Sequence, residues 1–174
     1  MKSAFTLIEI IFVVTIISIL AVVSIPKFML GTNDADILKA SKNLSTIISD
    51  VGMYYVANAK LADDIRTMTN VYLDDAGDKN SGYIVSAGKK CIKVIVKDEN
   101  VFTRKPAHIK IEEGPSPDKS TKRCLDIMAN KNVQNLRSLS FKYKIESLGR
   151  STTHAIIEVE SDVGEIALGY SAVE

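Results

Sequence analysis

Residues 5–25 read FTLIEIIFVVTIISILAVVSI and are the most distinctive stretch of the chain. One charged side chain, that of Glu9, interrupts an otherwise apolar run. As a helix, these 21 residues extend roughly 30 Å, about the thickness of a hydrocarbon core. The pattern predicts a transmembrane helix within residues 5–30. Because Lys2 precedes the run, the positive-inside rule predicts a single-pass inner-membrane protein with a cytoplasmic N-terminus and a periplasmic C-terminal domain.

Glu9 needs a partner, because a lone carboxylate at membrane depth costs several kcal/mol. The flanking basic residues, Lys2 and Lys27, lie beyond the two ends of the run. A cut between Ala4 and Phe5 creates a cation at the right depth, the new α-amine of Phe5. We therefore predict that this amine on one subunit pairs with Glu9 of a neighbouring subunit.

The motif AFTLIE at residues 4–9, followed by a long apolar run, resembles the class III signal of type IV prepilins and pseudopilins. The family usually has Gly where this chain has Ala4. The resemblance covers about the first thirty residues. It implies cleavage by a prepilin peptidase after Ala4, N-methylation of Phe5, an assembly role for Glu9 and a helix kink at Pro26.

The resemblance also implies a function and partners. The chain would be a structural subunit of a type II secretion pseudopilus, a DNA-uptake system or a type IV pilus. Its partners would be homologous pilin-like subunits, the prepilin peptidase and an inner-membrane assembly platform. Two other interpretations of the apolar run stay open: an ordinary secretory signal peptide, and a plain anchor for a membrane-anchored periplasmic binding protein.

The rest of the chain predicts an α+β fold, with a long N-terminal helix packed on a C-terminal antiparallel sheet. Apolar residues from Ile37 to Tyr55 recur at three- and four-residue steps, which predicts an amphipathic helix over residues 31–60 that continues the membrane helix. Turn-forming residues predict a loop over 61–90. Residues 91–174 are predicted to form the sheet region, with strands at 91–96, 107–111, 139–146, 154–160 and 165–170 and a short helix at 120–131.

Cys91 and Cys124 are the only cysteines, too few for a zinc site of four cysteines, and we predict that they form one structural disulfide. The sequence contains no Walker loop, GxGxxG, HExxH or nucleophile-elbow motif. We therefore expect no enzymatic activity, no cofactor and no metal. The carboxylates around Gly164 lack the spacing of an EF-hand.

Charge is unevenly distributed along the chain. Residues 34–78 contain 8 acidic and 4 basic residues (net −4), residues 79–144 contain 6 and 15 (net +9), and residues 145–174 contain 6 and 1 (net −5). A basic middle segment suits either internal ion pairing or capture of DNA phosphates by a minor pilin of a DNA-uptake system. The candidate DNA-binding residues are Lys89, Lys90, Lys93, Lys97, Arg104 and Lys105.

Overall fold

The computed structural model describes residues 6–147 and 155–169, with side chains described except at 22–32, 146–147 and 155. The chain is α+β. Its elements in order are α1 (Leu7–Asn58), β1 (Asp74–Asp75), β2 (Ser81–Ser86), β3 (Lys89–Lys97), β4 (His108–Glu113), α2 (Lys122–Ala129), α3 (Lys131–Arg137), β5 (Lys142–Ser147), β6 (Ala155–Glu160) and β7 (Glu165–Ala167). Contacts divide the chain into two compact units, Met1–Asp36 and Ile37–Glu174.

The structure contradicts the predicted transmembrane helix. Within residues 6–147 and 155–169, no helix is both long enough and apolar enough to cross a membrane. From Asn33 onward α1 carries charged and polar side chains such as Asp34 and Lys39. The membrane half of the predicted architecture and the single-pass inner-membrane location are therefore wrong.

The amphipathic half of α1 is present in the second unit. Ala40, Leu44, Ile47 and Val51 recur at steps of three and four residues and are all buried, as one face of a helix requires. They join a hydrophobic core to which the central strands of the sheet also contribute. The helix ends at Asn58, and the next residue, Ala59, has a positive φ of 53°, the left-handed conformation that commonly terminates helices.

The main sheet has five strands in the order β1-β2-β3-β4-β7, and every neighbouring pair is antiparallel. On one face of β3 and β4, Val94 lies opposite Ile111 and Val96 opposite Ile109, and all four side chains are buried in the core. Each of the five predicted strands overlaps an observed strand, and the predicted short helix overlaps α2. β1 and β2, however, lie within residues 61–90, where a loop was predicted.

The disulfide predicted from the sequence is present. Cys91 in β3 and Cys124 in α2 are bonded, with 4.8 Å between their Cα atoms, and both are fully buried. The bond fastens α2 to the central strand of the sheet. Beside it, Gly114 donates its amide to the Cys91 carbonyl. A Cβ at position 114 would overlap the Lys90 carbonyl oxygen, so only glycine fits there.

β5 and β6 form a separate two-stranded antiparallel sheet. Its connection to the rest of the second unit runs through the residues that flank it. Phe141, just before β5, accepts a hydrogen bond from the Ser161 amide and donates its own amide to Ser161 Oγ. The Phe141 ring lies 5.8 Å from the His108 ring in β4. The hairpin is thus held to the main sheet at one end.

Candidate functional site

The candidate site is the N-terminal segment of α1, residues 7–21, which we call the apolar segment. Its large hydrophobic side chains are exposed, from 42% at Ile16 to 79% at Leu7. Exposed apolar residues occupy consecutive positions, so they surround the helix on every side instead of forming one stripe. The exposed set is Leu7, Ile8, Ile10, Ile11, Phe12, Val13, Val14, Ile16, Ile17, Ile19 and Leu20. A continuous apolar surface of this kind marks a region that contacts another molecule.

The polar side chains of the apolar segment do not offer hydrogen bonds outward. Thr15 Oγ1 donates to the Phe12 carbonyl at 2.8 Å, and Ser18 Oγ donates to the Val14 carbonyl at 2.8 Å. Both hydroxyls are therefore satisfied by the helix that carries them. Apart from Glu9, the segment presents a surface suited to packing against other apolar helices.

Glu9 lies in the first turn of α1 and is exposed. The Thr6 carbonyl accepts hydrogen bonds from the amides of Glu9 and Ile10, so Thr6 stands at the N-cap position and Glu9 at the third helical residue. Thr-x-x-Glu is the capping-box pattern, in which the glutamate stabilises the helix start. The capping-box spacing is visible in the sequence, although it was not part of the sequence prediction, and it gives Glu9 a possible local role that needs no second chain.

The remaining predicted processing and assembly positions are not described. Ala4 and Phe5 lie outside the described residues, and so does the side chain of Pro26. The predicted cut and the predicted kink at Pro26 therefore stay predictions.

The six predicted DNA-binding residues do not form one cluster of unpaired cations. Lys89 Nζ lies 3.3 Å from Asp118 and Lys90 Nζ lies 3.1 Å from Asp74. Lys105 Nζ lies 2.6 Å from Glu165. Half of the predicted set is thus paired with carboxylates of the same chain.

Two of the carboxylates that pair with these lysines have lowered pKa values. A hydrogen bond from Lys90 lowers the pKa of Asp74. The backbone amide of Lys90 and the ammonium of Lys89 lower the pKa of Asp118. The Lys90 ammonium also lies 5.1 Å from the centre of the Tyr83 ring, and that of Lys93 lies 6.0 Å from it. Two lysines of the same sheet therefore already lie near the Tyr83 ring, the surface that a base would stack on.

The structure brings together a buried charged cluster that the sequence did not reveal. The Glu165 side chain is 4% exposed, and its Oε1 lies 3.5 Å from His108 Nε2. The Glu165 Oε2 atom has no aligned hydrogen bond, but the Lys105 ammonium at 2.6 Å compensates its charge. His108 Nδ1 lies 2.9 Å from the Pro106 carbonyl, so the neutral ring carries its proton on Nδ1. Burial lowers the pKa of His108, against the smaller opposing effects of Pro106 and Glu165.

This cluster joins β7 to β4 and to the loop before β4. It lacks the features of a metal site. Glu165 faces a lysine and a histidine, and across residues 6–147 and 155–169 no three His, Cys, Asp or Glu side chains converge as ligands.

Comparison with known proteins gives no further guide, since no protein family, curated protein or solved structure matches the chain.

Proposed function

We propose that this protein is a structural subunit of a filament of the type IV pilin class, assembled through the apolar segment after residues 1–4 are removed by a prepilin peptidase. The observation that carries the proposal is the exposure of eleven large hydrophobic side chains around residues 7–21. Each contributes about 1.5 to 3 kcal/mol when it is fully buried. Packing several such helices together is therefore strongly favourable, and it needs only copies of the same chain.

The motif at residues 4–9 supports the same function independently of the exposure. In this proposal the apolar segments pack side by side in the filament core. The partners are further pilin-like subunits, the peptidase and a machine that drives assembly. The pairing of three of the six candidate basic residues with carboxylates gives DNA capture less support than a purely structural role.

Two polar substitutions in the apolar segment test the proposal. Phe12 and Ile16 lie four residues apart, on one side of the helix. Because both are exposed, Phe12→Asp with Ile16→Asp should leave the second unit folded while it places two charges in the packed core. We expect filaments, counted by electron microscopy and by high-speed sedimentation, to be lost in this variant.

Leu38→Asp is the matched control. Leu38 is also an exposed apolar residue of α1, but it lies in the second unit. We expect this variant to assemble like the original chain. Equal assembly by the Phe12→Asp, Ile16→Asp variant and the control would show that the apolar segment does not hold subunits together.

A comparison of Glu9→Gln with Glu9→Ala separates the two roles available to Glu9. A capping box accepts glutamine in place of glutamate, whereas pairing with the Phe5 α-amine requires the negative charge. If the pairing role is correct, both variants assemble poorly. Normal assembly by Glu9→Gln alongside poor assembly by Glu9→Ala would leave only the capping role.

A further inference from the structure

The β5–β6 hairpin carries opposite charges on its two strands. On one face, Lys142 lies opposite Glu160 and Lys144 opposite Glu158, and all four side chains are exposed. In these two pairs β5 contributes the lysines and β6 the glutamates, and the third pair on this face is Glu146 with Ile156. Each hairpin contains both halves of a complementary surface, arranged side by side.

The opposite face of the hairpin is apolar. Tyr143 lies opposite Val159 and Ile145 opposite Ile157. Ile157 is 49% exposed, and the other three side chains are partly exposed. A two-stranded sheet with such a face is marginally stable by itself and gains from additional strands.

The outer edges of the hairpin are available for such strands. In the part of the chain that the structure describes, β5 and β6 pair only with each other. Each outer edge therefore has backbone amide and carbonyl groups that a further strand can use. Sheet extension by an added strand is a common way for two chains to join.

We propose that β5 of one copy pairs with the outer edge of β6 of the next copy, so that the hairpins form a continuous antiparallel sheet along the filament. This arrangement places the lysines of one copy beside the glutamates of its neighbour and extends the apolar face across copies. It also leaves a free β5 edge and a free β6 edge at the two ends, so addition is head-to-tail and open-ended.

The charges disfavour one symmetric alternative. Pairing β6 with β6 of a second copy places Glu158 and Glu160 beside glutamates, whereas β5 also contains Glu146, so β5–β5 pairing has to be separated by experiment. Like charges on adjacent strands are destabilising. The contact deepens the proposed filament function, since it adds a second connection between subunits that does not use the apolar segment.

Single cysteines test the pairing directly in the full chain. Lys144→Cys and Glu158→Cys are made as separate proteins that keep the native disulfide. We expect an equimolar mixture to form covalent dimers containing one chain of each kind, on the order of tenfold faster than either protein alone, because pairing raises the local thiol concentration. Lys131→Cys mixed with Glu158→Cys is the matched control, since Lys131 is exposed on α3.

Two crosslinking outcomes overturn the proposal. Rapid dimerisation of Lys144→Cys or of Glu158→Cys alone indicates symmetric pairing. A mixture that crosslinks no faster than the Lys131→Cys control indicates that copies do not meet at this hairpin. Filaments without the mixed crosslink would refute this contact and leave the proposed function standing. A mixed crosslink without filaments would support this contact and refute the proposed function.

A charge exchange gives a second test that does not depend on thiol chemistry. It reverses both lysine–glutamate pairs at once and keeps each of these pairs opposite in charge, at the cost of the hydrogen bond from Ser140 to Glu160. The exchanged variant should assemble with itself, but it should not mix with the original chain in a fluorescence energy-transfer assay. Preferential mixing with the original chain would favour symmetric pairing. The four substitutions are Lys142→Glu, Lys144→Glu, Glu158→Lys and Glu160→Lys.

Discussion

Replacing Lys105 with methionine removes the cation that faces the buried Glu165 carboxylate. The ammonium lies 2.6 Å from Glu165 Oε2, and the Glu165 side chain is 4% exposed, so little water can replace the lost partner. Removing one member of a buried ion pair costs about 3 to 5 kcal/mol. His108 lies 3.5 Å from the other oxygen and can take up a proton, so we expect the lower end of this range, about 3 kcal/mol.

A double-mutant cycle separates the pair from the individual side chains. Glu165→Gln removes the charge while keeping the shape, and the amide can donate to His108 Nε2. The double variant Lys105→Met, Glu165→Gln should therefore be less stable than the original chain by only about 1 to 2 kcal/mol. The assay is urea unfolding at pH 7.5 followed by circular dichroism, and Lys97→Met is the control. Lys97 is exposed and makes no ion pair within the described residues, so its loss should change the free energy of unfolding by less than about 0.5 kcal/mol.

Equal losses of stability in Lys105→Met and Lys97→Met would contradict a buried ion pair between Lys105 and Glu165. That result would mean that Lys105 contributes only what an exposed salt bridge does, about 0 to 1 kcal/mol. Lys105 would then again be available as a phosphate-binding residue, and the case for DNA capture would be stronger.

Three further predictions concern the second unit. Cys91→Ser with Cys124→Ser opens a loop closed across a separation of 33 residues, and we expect a loss of about 3 to 4 kcal/mol in urea unfolding. The pKa of His108 is lowered in the folded protein, so the unfolded chain binds the proton more readily. The free energy of unfolding should therefore fall as the pH drops below about 6.5. His108→Gln should remove this fall from a pH series of unfolding curves. Gly114→Ala forces a Cβ against the Lys90 carbonyl, and a loss of about 1 to 3 kcal/mol is expected by thermal unfolding; an unchanged melting temperature would show that the strand yields freely.

The amphipathic part of the fold was predictable because its signal is local. Leu44, Ile47 and Val51 follow the helical period, and each is buried. The missed strand β2 shows the opposite case. Ser81 and Gly82 have the composition of a turn, yet both lie inside a strand, and glycine is required at position 82 because the Leu73 side chain occupies the space where a Cβ would lie. A requirement set by a neighbouring segment leaves no local pattern in the sequence.

The charges were located correctly along the sequence, but their partners could not be predicted. Lys89 and Asp118 are 29 residues apart, and Lys105 and Glu165 are further apart still, so counting charges by segment located the basic segment but not the partners of these lysines. The apolar run misled in a different way. Length and hydropathy alone describe a transmembrane helix, whereas the exposed surface at residues 7–21 fits packing against other copies of the helix.

The identity of the first residue of the protein, isolated from cells that also produce a prepilin peptidase, tests the central claim most directly. N-terminal sequencing or intact mass measurement reads it without any assumption about the filament. We expect the mature chain to begin at Phe5, and we expect Ala4→Asp to block the cut. A chain that keeps Met1 under these conditions would contradict the proposal that it is a processed filament subunit.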